Sequence, residues 1–205
     1  MKSEAIDRSL AALDAWLAKR APKLANSLAP AADDEPVTEV EAILGAKLPD
    51  DYRAFLARHD GQRFVPVDAE GGTLAPLFAG FDILPLQFAA GEYETIENEW
   101  DDEGPDDVIA HGPVRAFHRH PKWWPITCVF GSSQYHCIDL DPAPGGNRGQ
   151  VIFIADDDAH RRVVAPSFTA FLEMLVASLS KPGVEATEEG IDLPDEVFEP
   201  LLGAD

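Results

Sequence analysis

Basic residues are scarce in this chain: 16 Lys and Arg stand against 37 Asp and Glu, a formal net charge of −21. A field of that sign repels nucleic-acid phosphates and anionic lipid, so neither nucleic acid nor membrane is an expected partner, whereas a basic protein would be drawn in. An acidic excess can equally serve solubility alone. Cysteine is nearly absent. Cys128 and Cys137 are too few for a disulfide-scaffolded secreted domain and lack the spacing of a zinc site. No apolar run approaches the ~18 residues of a membrane helix. Residues 1–10 carry Lys2, Glu4, Asp7 and Arg8 and no apolar signal-peptide core, so the expected compartment is the cytoplasm. Missing too are a G-x-S-x-G elbow, a P-loop and an H-E-x-x-H pair. No catalytic residue, metal or cofactor is expected.

What is present reads as a globular core with appended ends. The 205 residues are 45% hydrophobic, which suits one domain. Ile6, Leu10, Leu13 and Leu17, with Trp16, recur at helical spacing, predicting a helix over residues 4–19 that Pro22 stops. Residues 21–34 read as a loop. A second helix is expected over 36–44, with Pro36 in its first turn, Val37, Val40, Ile43 and Leu44 inward, and Gly45 as its stop. A third spans 49–59, with Tyr52, Phe55 and Leu56 inward and Gly61 beyond. Residues 62–79 read as surface loop, 81–84 as a short strand and 92–100 as a helix carrying Tyr93, Ile96 and Trp100 inward.

The second half is rich in β-branched and aromatic residues. Strands are expected at 124–130, 135–140, 149–155 and 161–165, joined by short turns and so mainly antiparallel. Residues 145–149 read as a flexible hairpin loop and 156–160 as a turn. Ser167 is a good N-cap for a closing helix to residue 179, with Phe168, Phe171, Leu172 and Leu175 buried. A four-residue loop at 131–134 would pair Phe130 with Tyr135 and set Cys128 opposite Cys137, with Cα atoms ~4.5–5.5 Å apart. That register allows a redox-sensitive staple; two buried, reduced thiols are the plainer expectation. The division is a helix and linker over 1–35, a domain over 36–180 and an acidic tail over 181–205, whose apolar residues Ile191, Leu193, Val197, Phe198, Leu201 and Leu202 suit a short helix docking back. The class is α+β: a mainly antiparallel sheet of four to six strands flanked by helices.

The acids are clustered. Glu92, Glu94, Glu97, Glu99, Asp101, Asp102, Glu103, Asp106 and Asp107 run without a Lys or Arg between them. The tail after Lys181 is likewise unopposed. Between lie His111, Arg115, His118, Arg119, His120 and Lys122. This alternation fits internal charge pairing or a dipolar surface.

Other constellations are weaker. His118 and His120 could share a strand face and hold a metal, but Arg119 and Lys122 disfavour a cation there. Asp156, Asp157, Asp158 and His160 could ligate a hard cation, although a solvated hairpin turn is the simpler reading. Asp139 and Asp141 could be paired hydrolase carboxylates; Asp141 before Pro142 reads as turn initiation. Trp123 and Trp124 could stack bases, but the charge argues against nucleic acid and for core packing.

Residues 40–56, Val-Glu-Ala-Ile-Leu-Gly-Ala-Lys-Leu-Pro-Asp-Asp-Tyr-Arg-Ala-Phe-Leu, followed by Asp60-Gly61, resemble the E-x-x-L-G-x-x-L-P-x-x-Y-x-x-F-L opening of the Smi/Knr-like group of the SUKH superfamily. Trp124-Pro125-Ile126, Gly131, Tyr135, the run Ile138-Asp139-Leu140-Asp141-Pro142, Gly149-Gln150-Val151-Ile152 and Ala165-Pro166-Ser167-Phe168 with Phe171-Leu172 follow in the group's order, covering residues 36–179. Gly131-Ser132-Ser133-Gln134 departs from the group's more glycine- and aspartate-rich turn. The resemblance implies a SUKH-like fold and a non-enzymatic, protein-binding role. Bacterial members look like immunity proteins that neutralise toxins, many of them nucleases; fungal members are cell-wall and signalling regulators. The first reading implies a basic toxin domain as partner, met by the acidic block from Glu92 to Asp107. The second implies a scaffold or regulator. A metal-dependent hydrolase using Asp139, Asp141 or Asp156 to His160 is the remaining alternative.

Overall fold

The computed structural model describes residues 2–63, 76–98, 107–187 and 190–203, without the side chains of residues 2, 3 and 97. Trp100 and most of the loop expected at 62–79 lie outside them.

The first helix, α1 (Lys2–Arg20), buries Ile6, Leu10, Leu13 and Leu17. Pro22 does not end the helical region. It opens a second helix, α2 (Pro22–Ser27), from the first turn, where a missing N–H costs nothing. The loop expected over 21–34 is therefore corrected to a short helix whose Leu24 is buried. Helix α3 (Asp34–Leu44) ends as expected at Gly45, whose left-handed φ of 58° closes the C-cap. Its inward face differs by one position: Ile43 is 54% exposed, and Glu41 lies in the core at 6%. Helix α4 (Asp50–Leu56) buries Tyr52, Phe55 and Leu56. Gly61 follows at φ 59°; a Cβ there would strike the Leu84–Pro85 backbone, so the chain passes only because no side chain is present.

The main sheet takes β1 (Phe81–Ile83), β2 (Ile109–His111), β3 (Trp123–Val129), β4 (Ser132–Asp139), β5 (Gln150–Ala155) and β6 (Asp158–Ala165) in the order β1-β3-β4-β5-β6-β2. The pairs are antiparallel except β2 with β6, a parallel edge that local patterning gave no means to foresee. Gln62 closes the β1 edge: its N–H donates to the Ile83 carbonyl at 2.8 Å, and its Oε1 accepts from the Ile83 N–H at 2.9 Å. Helix α5 (Leu86–Asn98), which begins well before residue 92, lies on β3, with Tyr93 5.6 Å from Trp124 between ring centres. Helix α6 (Phe168–Ser178) packs on β5 and β6, and α1 packs on α6 and α4. Consecutive strand residues face opposite ways, so Tyr135, bonded to α5, and His136, against Phe171 of α6, mark the two covered faces.

The β3–β4 hairpin corrects the expected register. Val129 pairs with Ser132, leaving Phe130 and Gly131 as a two-residue turn, and β-bulges shift the ladder. Cys128 consequently stands opposite Tyr135, and Cys137 opposite Pro125; both thiols are free and buried. The β5–β6 turn is also tighter than expected, since Ala155 pairs with Asp158.

The tail folds back. Strands β7 (Glu185–Ala186) and β8 (Ile191–Asp192) pair with each other, then α7 (Asp195–Phe198) and a 3-10 turn (Glu199–Leu202) follow, burying Ile191, Val197 and Leu201. No helix among the described residues is long and apolar enough to cross a membrane.

Candidate interaction surface

The acid-bearing helices are neighbours. α5 supplies Glu92 and Glu94, α3 packs beside it, and neither helix contains a Lys or Arg. On α3, Asp34, Glu35, Thr38 and Glu39 are exposed and, with Ala42, line an open depression of ≈ 450 Å³. Asp34 and Glu35 occupy the first turn, where the helix dipole favours negative charge. That local stabilisation accounts for their tolerance and leaves their charge facing water. Asp34, Glu35, Glu39 and Glu94 join no salt bridge among the described residues.

The α3 acids lie outside the block from Glu92 to Asp107. The signal was there: from residue 24 to 46 the chain has Asp33, Asp34, Glu35, Glu39 and Glu41 and no cation. Within the block from Glu92 to Asp107, three acidic side chains are described, and their settings differ. Glu94 is exposed. Glu92 is half-buried and accepts a hydrogen bond from the Tyr135 hydroxyl at 2.6 Å, so it anchors α5 to the sheet. Asp107 is exposed, 3.3 Å from Nε2 of His118. The Glu97 side chain, and Glu99, Asp101, Asp102, Glu103 and Asp106, lie outside the described residues.

The basic stretch between the acidic blocks is engaged internally. Arg119 pairs with Asp156 and lies over the Tyr135 ring, 5.4 Å from its centre. Arg115 meets Asp141 at 3.0 Å, and Arg162 meets Asp158 at 2.5 Å. Arg161, fully buried, donates to the carbonyls of Phe117, Asp158, His160 and His118. Arg115, Arg119 and Arg162 are thereby taken by Asp141, Asp156 and Asp158, while Asp34, Glu35, Glu39 and Glu94 of α3 and α5 stay unneutralised among the described residues.

The alternative chemistries find no geometry among the described residues. His118 and His120 sit in an irregular segment, not on a strand. His120 is buried between Phe117 and Trp123, and that burial pushes its pKa down to about 4. Asp156 and Asp158 are committed to Arg119 and Arg162. Asp139 is fully buried and holds a turn: it accepts from the Asp141 N–H and from Gln150 Nε2, each at 3.0 Å. Its burial raises its pKa to about 6. Trp123 and Trp124 are wholly buried and have no face for a base. Among the described residues no three His, Cys, Asp or Glu side chains are grouped to hold a metal.

The stretch from α3 into α6, residues 31–174, matches the profile of the SMI1 / KNR4 family (SUKH-1). This chain belongs to that family. The SMI1 / KNR4 relatives include the glucan synthesis regulatory protein of Neurospora crassa, 24% identical over 82% of this chain and 37% of its own length. The cell wall biosynthesis/cell cycle regulator smi1 of Schizosaccharomyces pombe is 27% identical over 83% of this chain and 35% of its own. Human F-box only protein 3 is 35% identical over 78% of this chain and 30% of its own. The chain thus spans about a third of the length of these curated relatives. Glu41, Leu44, Leu48, Tyr52, Phe55 and Leu56 of the opening motif are all buried, so these positions of the motif serve the fold.

Proposed function

We propose that this chain is a protein-binding module that engages a basic partner through the acid face of α3 and α5 and carries out no chemistry of its own. One observation carries the reading: Asp34, Glu35, Glu39 and Glu94 are exposed on two adjacent cation-free helices and join no salt bridge among the described residues, while Arg119 and Arg162 are paired elsewhere. Such a face speeds encounter with positive surfaces and penalises acidic ones. Glu97, Glu99, Asp101, Asp102, Glu103 and Asp106 follow in the sequence and carry charge of the same sign.

Two partners suit it. The names of the relatives, a glucan synthesis regulator and a cell-wall and cell-cycle regulator, favour a component of a regulatory assembly. The charge favours equally a basic toxin domain, which would make the chain an immunity protein. Affinity capture with the wild type and with the E35K/E39K/E94K variant tests the common claim. Proteins held by the wild type and lost by the variant define the ligand; identical capture by both contradicts the reading. Co-expression then separates the partners: a captured protein that arrests growth alone and is silenced by this chain is a toxin, and one without effect on growth is a regulatory partner.

A further inference from the structure

The C-terminal segment differs from the rest of the fold in how it is held. It lies beyond the family match, which ends at residue 174 within α6. Its two strands pair with each other and add nothing to the six-stranded sheet. Among the described residues its backbone hydrogen bonds close largely on itself, as Thr187 to Gly190, Val197 and Phe198 to Pro194, and Gly203 to Pro200. It reaches the body through the Ala79 N–H, which donates to the Ile191 carbonyl at 2.8 Å, and through His136, whose Nε2 lies 2.6 Å from the Leu201 carbonyl.

The segment carries charge of the same sign as the chain's net charge. Residues 184–203 contain Glu185, Glu188, Glu189, Asp192, Asp195, Glu196 and Glu199 and no Lys, Arg or His, in a chain of net charge −21. Apolar burial of Ile191, Val197 and Leu201, with Phe198 6.1 Å from Phe81 between ring centres, holds the segment on the body. Its seating depends on two glycines. A Cβ on Gly190 would meet the Pro76 carbonyl oxygen at 2.6 Å, and one on Gly203 would meet Cβ of Arg162 at 2.8 Å. Lys181, Pro182 and Gly183, the last at φ 81°, form the turn from which the segment departs.

Beneath it lies an apolar floor around His136, made of Phe78, Phe81, Phe153 and Phe171. The tautomer of His136 is fixed by its surroundings. A carbonyl can only accept, so Nε2 carries the proton donated to Leu201, and Nδ1 accepts from the Thr127 hydroxyl at 2.7 Å.

We propose that residues 190–203, carrying β8, α7 and the 3-10 turn, form a detachable strap, which opens independently of the sheet and uncovers the apolar floor around His136. The floor has one occupant, this strap in cis, and ionic strength sets how often the strap leaves it. Because repulsion between like charges is screened by salt, the strap opens more readily as salt is lowered. No partner is needed for the device, so its test is separate from that of the acid face.

Native-state hydrogen exchange on the full chain decides it. Amides of α7 and the following turn should exchange about 100-fold faster than those of β4 and β5, the signature of local opening. The ratio should grow several-fold between roughly 300 and 20 mM salt. Strap amides that exchange at the rate of β4 and β5 open only with the whole molecule, and that overturns the proposal. A second variant guards the result. Gly203→Ala should speed strap exchange by about tenfold and deplete the Nε2–H tautomer signal of His136 in nitrogen-15 spectra, with β4 and β5 rates unchanged. Parallel acceleration of strap and sheet would mean that the segment is part of the cooperative core, and would also overturn it.

Discussion

Glu41 accepts a hydrogen bond from Nη1 of Arg53 at 2.6 Å, across the turn that joins α3 to α4. The same carboxylate takes Lys47 Nζ at 2.6 Å and the Leu48 N–H at 3.1 Å. Burial pushes its pKa up, but these three donors outweigh burial and hold it below the ordinary carboxylate value. A carboxylate placed at the first letter of the family's opening motif therefore organises the whole α3–α4 corner.

Glu41→Gln removes the charge and leaves three donors poorly matched, and should cost about 2 kcal/mol at pH 7. The folded pKa lies below the unfolded one, so the wild-type advantage is present above about pH 4.5 and fades as pH falls through the folded value. Urea unfolding of both proteins at pH 7 and pH 4 checks this. An equal difference at both values would contradict it.

Asp82 is the opposite case. It is part-buried on β1, its Oδ1 has no hydrogen-bond partner, and burial raises its pKa to about 6. A carboxyl whose folded pKa exceeds its unfolded one weakens the fold once both states ionise. Asp82→Asn should therefore stabilise the protein above pH 6, by about 1 to 2 kcal/mol after discounting for residual solvent. The gain should vanish as pH falls below about 4, where Asp82 is protonated in either state. Thermal melts across pH 4 to 8 measure it, and a pH-independent gain would point to packing instead.

The thiols should be inert in the native protein. Burial first, then the nearby carboxylates of Asp82 and Glu92, push Cys128 up to about 12, and burial raises Cys137 further. A thiol reagent should label neither residue at pH 8 until denaturant unfolds the chain, and mild oxidation should form no Cys128–Cys137 bridge. Rapid labelling of either one under native conditions would contradict the buried hairpin.

Periodicity located α1, α3, α4 and α6 because each buries one stripe, and Ser167 fulfils its capping role by accepting from the Ala170 N–H at 3.2 Å. The cap has a second half that spacing could not reveal. Asp51 of α4 accepts from the Thr169 N–H at 2.8 Å and from its hydroxyl at 3.0 Å, across 118 positions. The hairpin register failed because loop length was read from turn-forming residues, while the bulges at β3 depend on pairing partners. The parallel β2–β6 edge is likewise a tertiary choice. The acid face was half legible. Runs of like charge are visible in one dimension, but that α3 lies beside α5, and that Glu92 turns inward to Tyr135, are consequences of packing.

The most direct measurement is the association rate of a captured partner with the wild type and with E35K/E39K/E94K, followed from about 50 to 300 mM salt. The account predicts a wild-type rate that falls at least about tenfold over that range, and a variant that is slow throughout with a flattened salt dependence. Equal rates for the two proteins, unaffected by salt, would contradict docking through the acidic helices.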